Sequence, residues 1–382
     1  MKCKLSDICS FRKGKVEVEN LNAKNYISTE NMLPNKCGIT EASSLPTVSL
    51  TQEYNSGDVL VSNIRPYFKK IWQAEYDGGC SNDVLVFVPK PNTDKDFLYY
   101  VLADDDFFTY SMATSKGTKM PRGDKTSIMQ YEVPLIDLQV QKKIASVLKA
   151  LDEKIKLNNE INNNLLEQVL TLYRNRFVDT VNNERRICRA DEYFDISIGK
   201  TPPRKEPQWF STNTQDVTWV SISDMGTCGL YIGSSSEQLT KEAVDRHNVK
   251  IVPDNTVLLS FKLTVGRIAI TNGEMTTNEA IAHFKTDKKE INEYLYCYLK
   301  CFNYQTMGST SSIATAVNSK IIKGMPFVVP TDDELIDFHS VVAPMFAKIK
   351  ANQTESEKLT AVRDTLLPKL MSGELDVSDI EL

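Results

Sequence analysis

Histidine is scarce in this chain: His247, His283 and His339 are the three it has, and they stand far apart. That argues against a zinc or iron centre, which needs several imidazoles or thiolates at short spacing. The eight cysteines form no CxxC pair, and Cys297 and Cys301, four apart in YLYCYLKC, fit one face of a helix better than a metal site. Reduced, mostly buried thiols are the expectation. Long apolar runs are missing too. None approaches the ~20 residues that span a bilayer, and the opening MKCKLSDICSF does not read as a signal peptide, so a cytoplasmic location without membrane attachment is expected. Nor is there an excess of positive charge: 45 Lys and Arg against 50 Asp and Glu give a formal charge of −5 and a pI of about 5.5. Bulk electrostatics cannot hold such a chain to nucleic acid, although local basic clusters can.

The common catalytic signatures are absent as well. GTKMPRGDKT has one residue too many between its glycines and an aspartate before the lysine, so it only mimics a phosphate-binding loop. There is no GxGxxG after a strand, no HExxH, no GxSxG, and neither the [ND]PPY tetrapeptide nor the glycine-rich cofactor loop of an amino-methyltransferase. These absences favour a non-catalytic role with no cofactor bound by the chain itself.

What is present is organised around two long amphipathic stretches. From about Asp137 to Phe177, Ile144, Leu148, Leu151 and Ile155, then Leu165, Val169 and Leu172, recur at the four-and-three spacing of a coiled-coil seam. Asn158 and Asn162 interrupt the seam, while Ile161, Leu166, Leu170 and Tyr173 form an outer apolar set. From Asp333 to Leu370 the pattern returns as Leu335, Phe338, Val342, Met345, Ile349, Leu359, Leu366 and Leu370, interrupted by Asn352 and Ser356. A shift of 194 lays Phe338 on Ile144 and Asn352 on Asn158. Matching seams with matching polar notches imply a repeat, the notch being a device that fixes register. The alternative is two ordinary amphipathic helices whose asparagines are solvated.

The segments before each helix also match. GDVLVSNIRPYFKKIW resembles DNTVLLSFKLTVGRIAI; YISTENM resembles WVSISDM; SNDV, DFLYYVL and YEVPL resemble TNEA, EYLYCYL and MPFVVP, all in one order at separations of about 193 to 198 residues. At 382 residues the chain suits two domains. The expected fold is α+β: two similar mixed α/β modules and two long antiparallel helices forming a coiled coil, a tandem pseudo-repeat. Residues 1–135 form the first module, 136–180 the central helix, 181–331 the second module, and 332–382 the distal helix and tail. Pro344 predicts a kink in the distal helix.

Basic residues gather beside turns. In the first module these are Arg65, Lys69 and Lys70 around Tyr67 and Phe68, then Lys116, Lys119, Arg122 and Lys125 in SKGTKMPRGDK. In the second they are Lys200, Arg204 and Lys205 in GKTPPRKEPQWF, with Lys262 and Arg267 in FKLTVGR. Asn82 and Asn278 match across the repeat. Lysine and arginine hold phosphates, arginine reads guanine edges and asparagine reads adenine edges. Solvated turns, and asparagines that merely cap them, are the alternative.

This plan resembles the specificity subunits of type I restriction-modification systems over essentially the whole chain. The resemblance is carried by VPL followed by QKKI (Gln141 to Ile144), by GKTPPR with VLLSFKLTVGRIAI and TNEA, and by LPKLMSGE. The first module departs from it, lacking a GxTP element and carrying RPYF where the second has TVGR; the distal helix departs with VPTDDELIDF in place of the glutamine entry. The resemblance implies that each module is a target recognition domain for one half of a bipartite site in double-stranded DNA. It implies that the helices set the unread gap and dock two copies of the methyltransferase (modification) subunit. Those partners use S-adenosylmethionine, and a restriction/translocase subunit uses ATP and Mg2+. A helix of about 40 residues is about 60 Å long, enough to hold two reading heads apart. The competing readings are a coiled-coil scaffold with protein-binding modules and a self-sufficient enzyme.

Overall fold

The computed structural model describes residues 2–180, 182, 185–307 and 318–377. Two compact units are present, one built from Met1–Ile155 with Lys358–Leu382, the other from Lys156–Glu357.

The first unit contains a four-stranded antiparallel sheet in the order Cys9–Phe11, Val84–Pro89, Val59–Ser62, Ile71–Gln73. Val59, Leu60, Val61 and Ser62 are all buried, as a strand covered on both faces must be, which explains a continuous apolar run rather than an alternating one. Gly57, at φ 91, makes the left-handed turn into that strand. A second four-stranded sheet runs Lys15–Glu17, Leu50–Tyr54, Gly78–Cys80, Tyr26–Ile27, its last pairing parallel. Helix Lys95–Ala103 is capped by Asp94, whose carboxylate accepts from the Asp96 and Phe97 amides. Its Phe97, Leu98 and Val101 share one core with Ile144 and Leu148 and with Leu367, Leu370 and Met371.

The second unit repeats this plan. A sheet of Asp195–Ile198, Ile281–Lys285, Val257–Ser260, Ile268–Thr271 gains a fifth, parallel strand, Tyr231–Ile232. Val257 pairs with Phe284 as Val59 pairs with Phe87. The smaller sheet, Phe210–Ser211, Glu237–Leu239, Val217–Val220, Thr276–Thr277, again ends in a parallel pairing. Helix Asn292–Cys301 places Tyr294, Leu295, Cys297 and Leu299 in a core with Val169, Phe338, Val342, Phe346 and Ile349.

The long helices are Leu138–Tyr173 and Asp332–Ser372, and the second continues through Pro344. They run antiparallel within each unit. In the second unit Phe177 lies 5.2 Å from the Phe338 ring, while Asn158 meets Asn352, Glu355 and Ser356. In the first, Asp152 meets Arg363 at 2.6 Å. The polar notch is buried, not solvated: Asn158, Asn162 and Asn352 are 0%, 8% and 1% exposed. Asn352 donates to Asn162 at 2.9 Å and Asn158 to Glu355 at 2.8 Å, so the interruption is hydrogen-bonded across the pair.

Two seam positions differ from expectation. Leu172 is 41% exposed, and Tyr173 with Phe177 fills the seam instead. Met345 is only partly buried and Phe346 takes the core position. The first follows from helix geometry: at 3.6 residues per turn a strict seven-residue repeat drifts about 20° per heptad, so four heptads beyond Ile144 the buried stripe has moved one residue onward. Leu151, Ile155, Leu165, Leu359 and Leu366 are half-buried. All eight cysteines are free; Cys9, Cys80 and Cys297 are buried and Cys37 is exposed, fewer buried thiols than expected.

Candidate nucleic-acid interface

In the first unit the hairpin of Val59–Ser62 and Ile71–Gln73 turns through residues 63–70. Arg65 and Lys69, both left-handed at φ 51 and 49, bracket a single 3-10 turn, Pro66–Phe68. The turn leaves Tyr67 and Phe68 exposed, ring centroids 4.6 Å apart. Lys69 and Lys36 both pair with Asp105, at 2.7 and 2.8 Å. Burial alone would raise the Asp105 carboxyl, but the two ammonium groups outweigh it and hold it below its usual range. Lys70 donates to the Thr29 carbonyl at 2.6 Å and is lowered by desolvation.

The loop carrying the other four cations is tied to this hairpin. Arg65 N–H donates to the Pro121 carbonyl at 2.8 Å, Gly123 N–H to Asn63 at 3.2 Å, and Arg122 bridges to both Ile64 and Lys116. Arg122 pairs with Asp83 at 3.1 Å, next to exposed Asn82. Lys116 pairs with Asp124 at 2.7 Å, Lys125 lies 5.9 Å from the Phe11 ring, and Lys119 is exposed. Arg65 Nε and Asn63 Oδ1 are buried with no hydrogen-bond partner among the described residues. Two segments some fifty residues apart in sequence thus form one cationic surface.

In the second unit three segments converge. Phe261 N–H donates to Ala280 at 2.9 Å, Lys200 N–H to Thr277 at 2.9 Å, and Gly199 N–H to Ile281 at 3.1 Å. A Cβ on Gly199 would lie 2.1 Å from Thr277 Oγ1, so only glycine permits this approach. Thr201 donates to Glu279, whose carboxyl burial would raise but which that bond, with help from Lys262 and Arg204, holds below its usual range. Arg204 is held on its inner side: its Nη1 and Nη2 pair with Glu237 at 3.0 and 2.9 Å, and its guanidinium lies 4.1 Å from the Phe210 ring and 4.7 Å from Trp219. Such a bidentate, stacked guanidinium is pre-organised and keeps donors for a further acceptor. Lys200 donates to the His247 carbonyl at 2.6 Å; Lys205 and Lys262 are exposed.

Two candidates are half-buried and hydrogen-bonded within the fold. Arg267 Nη1 donates to the Ile222 carbonyl at 2.6 Å with Gly226 beneath it, so it braces residues 221–226. Asn278 Oδ1 accepts from Ala280 N–H at 3.1 Å, an Asx turn. Below them His283 is fully buried between Ser197 Oγ and Thr277 Oγ1, at 3.0 and 2.7 Å, and burial lowers it to about 3, so it stays neutral. Among the described residues no cluster of three or more His, Cys, Asp or Glu could hold a metal ion. The carboxylates that pair with the cations are Asp83, Asp105, Asp124 and Glu237; of these Asp83 sits inside the matched SNDV segment, as Glu279, the acceptor of Thr201, sits inside TNEA, and the repeat is the sequence signal for both.

The profile of the type I restriction modification DNA specificity domain matches twice, at residues 1–167 and 186–361. The chain is similar to the type I restriction enzyme HindI specificity subunit of Haemophilus influenzae, with 22% identity over 92% of this chain and 94% of that one. It is also similar to the MjaIX specificity subunit of Methanocaldococcus jannaschii, with 26% identity over 77% and 72%. A crystal structure of the type-I restriction-modification system S subunit from M. genitalium shares the fold, with a TM-score of 0.55 at 16% identity over 99% of this chain and 96% of that one.

Proposed function

The chain belongs to the type I restriction modification DNA specificity family, and from that premise we propose that its two recognition domains, residues 1–135 and 181–331, each read one half of a bipartite, asymmetric site in double-stranded DNA. The long helices at 136–180 and 332–382 set the unread gap and dock two methyltransferase subunits. Methyl transfer from S-adenosylmethionine takes place on those partners, and a restriction/translocase subunit uses ATP and Mg2+. The specificity chain contributes recognition rather than catalysis, and works in the cytoplasm, where the chromosome is. Among the described residues no helix is long and apolar enough to cross a membrane.

The observation that carries this reading is that each unit offers an arginine held by a carboxylate: Arg122 on Asp83, and Arg204 on Glu237. A buttressed guanidinium keeps its orientation while its outer N–H groups face a base edge. The exposed cations Lys119, Lys205 and Lys262 suit phosphates, which position without specifying. With a net charge of −5 the chain depends on its partners for much of the phosphate contact.

The test is a genome-wide map of methylated bases with and without this chain. A bipartite motif that vanishes on deletion is expected. Arg122→Ala should then relax one half-site and Arg204→Ala the other, each by about 1–3 kcal/mol of discrimination at one base pair. A motif that survives deletion, or equal relaxation of both halves, would overturn the reading.

A further inference from the structure

Leu263 is 100% exposed and left-handed at φ 61. Thr264 N–H donates to the Lys262 carbonyl at 2.6 Å, closing a γ-turn with Leu263 at its apex. Turns of this hand are rare and strained, and a branched side chain is the wrong choice for one on conformational grounds. The loop beneath is rigid: Ser260 Oγ donates to the Thr264 carbonyl at 2.6 Å and accepts from Arg267 N–H at 3.0 Å, while Gly266 N–H donates to Ser260 at 3.0 Å. A strained, fixed, fully solvated leucine next to Lys262 gains nothing within the fold. At the equivalent hairpin apex of the first unit the exposed apolar groups are Tyr67 and Phe68, bracketed by left-handed Arg65 and Lys69.

We propose that the hairpin apex of each recognition domain is an apolar wedge, Leu263 in one and the Tyr67/Phe68 pair in the other, that inserts between stacked base pairs of the duplex. The inference rests on the DNA-reading function proposed above. Insertion of an apolar side chain repays the lost stacking by opening a groove that the flanking cations then grip. Because the two wedges differ in size, the two half-sites are distorted unequally.

The experiment uses the full chain assembled with its methyltransferase partner, on duplexes of the mapped site carrying 2-aminopurine at successive positions other than the methylated base. Fluorescence should rise at one step in each half-site. Leu263→Ala should abolish the rise in the half read by residues 181–331, weaken DNA binding about ten-fold, and leave the melting temperature and the other half unchanged. Leu263→Met, of similar bulk, should keep the rise. Tyr67→Ala with Phe68→Ala should act on the opposite half. No rise at any step, or a rise that survives Leu263→Ala, would overturn the wedge while selective binding persisted. Loss of partner assembly in Leu263→Ala would instead assign the apex to a protein contact. If no duplex is bound selectively by the unsubstituted complex, it is the DNA-reading function that fails.

Discussion

Where helix Lys95–Ala103 meets the long helices in the first unit, a polar set lies beside the shared apolar core. Tyr100 donates to Asp152 at 2.8 Å, Arg363 pairs with the same carboxylate at 2.6 Å, and Gln141 accepts from Asp94 N–H at 2.9 Å while donating to Ile136 and Asn92. At the repeat-equivalent positions of the second unit the residues are apolar. Cys297, Phe346 and Val169 replace Tyr100, Asp152 and Arg363, and Ile291 and Leu335 replace Asp94 and Gln141; all five are 0–1% exposed. The replacements come as sets, so one junction has been solved twice. A polar set is unforgiving, since each member left without its partner costs a desolvation penalty, and it specifies one geometry. An apolar set tolerates small shifts but suffers from any loss of volume. Burial and Asp152 push the Tyr100 hydroxyl well above its usual range, and Asp152 holds Arg363 charged against the opposing effect of burial.

The contrast can be broken in order of size. Phe346→Ala should cost about 3–5 kcal/mol, read as a lower urea midpoint, because a fully buried ring leaves a cavity. Asp152→Ala should cost about 2–3 kcal/mol by leaving the buried Tyr100 hydroxyl without its acceptor and Arg363 with Asp364 alone. Grafting the other set onto the first unit, Tyr100→Cys with Asp152→Phe and Arg363→Val, should recover most of that loss. A graft less stable than Asp152→Ala alone would show that the surroundings, not the three side chains, dictate the chemistry. The smallest effect is a pH dependence. Glu334 accepts from Arg185 at 2.8 Å, and that bond holds its carboxyl down to about 2. A depressed carboxyl stabilises fully above its unfolded value near 4.5, and the contribution fades as pH falls through about 2. Between those limits thermal unfolding should lose about 1–2 kcal/mol, and Glu334→Gln should flatten that slope; an unchanged slope would place the acid sensitivity elsewhere.

Much of this architecture was legible in the chain because repetition is a property of sequence. The seams, the asparagine notch and the matched hairpins could all be read from spacing. The seam departs from an ideal heptad at Leu172, where the helix drifts, and at Met345, where Phe346 fills the core. Pairings between distant residues were not readable: nothing local ties Arg204 to Glu237 or Asp152 to Arg363. The bracing contact of Arg267 was equally illegible. Its neighbourhood in FKLTVGR is basic, like that of Arg65, and the carbonyl of Ile222 that holds it lies far away along the chain. The exposure and left-handed backbone of Leu263 leave no mark in composition.

The first unit draws Leu367, Leu370, Met371 and Val377 into its core, whereas the second is one continuous segment. During synthesis the ribosome therefore delivers everything that Lys156–Glu357 needs before it supplies the last pieces of what was begun first. At about 5–20 residues per second, the early apolar surface around Phe97 and Leu148 waits on the order of 10–40 s for its closing segment. The half of the protein born first is thus the later to mature, and chaperone dependence in the cell should concentrate there.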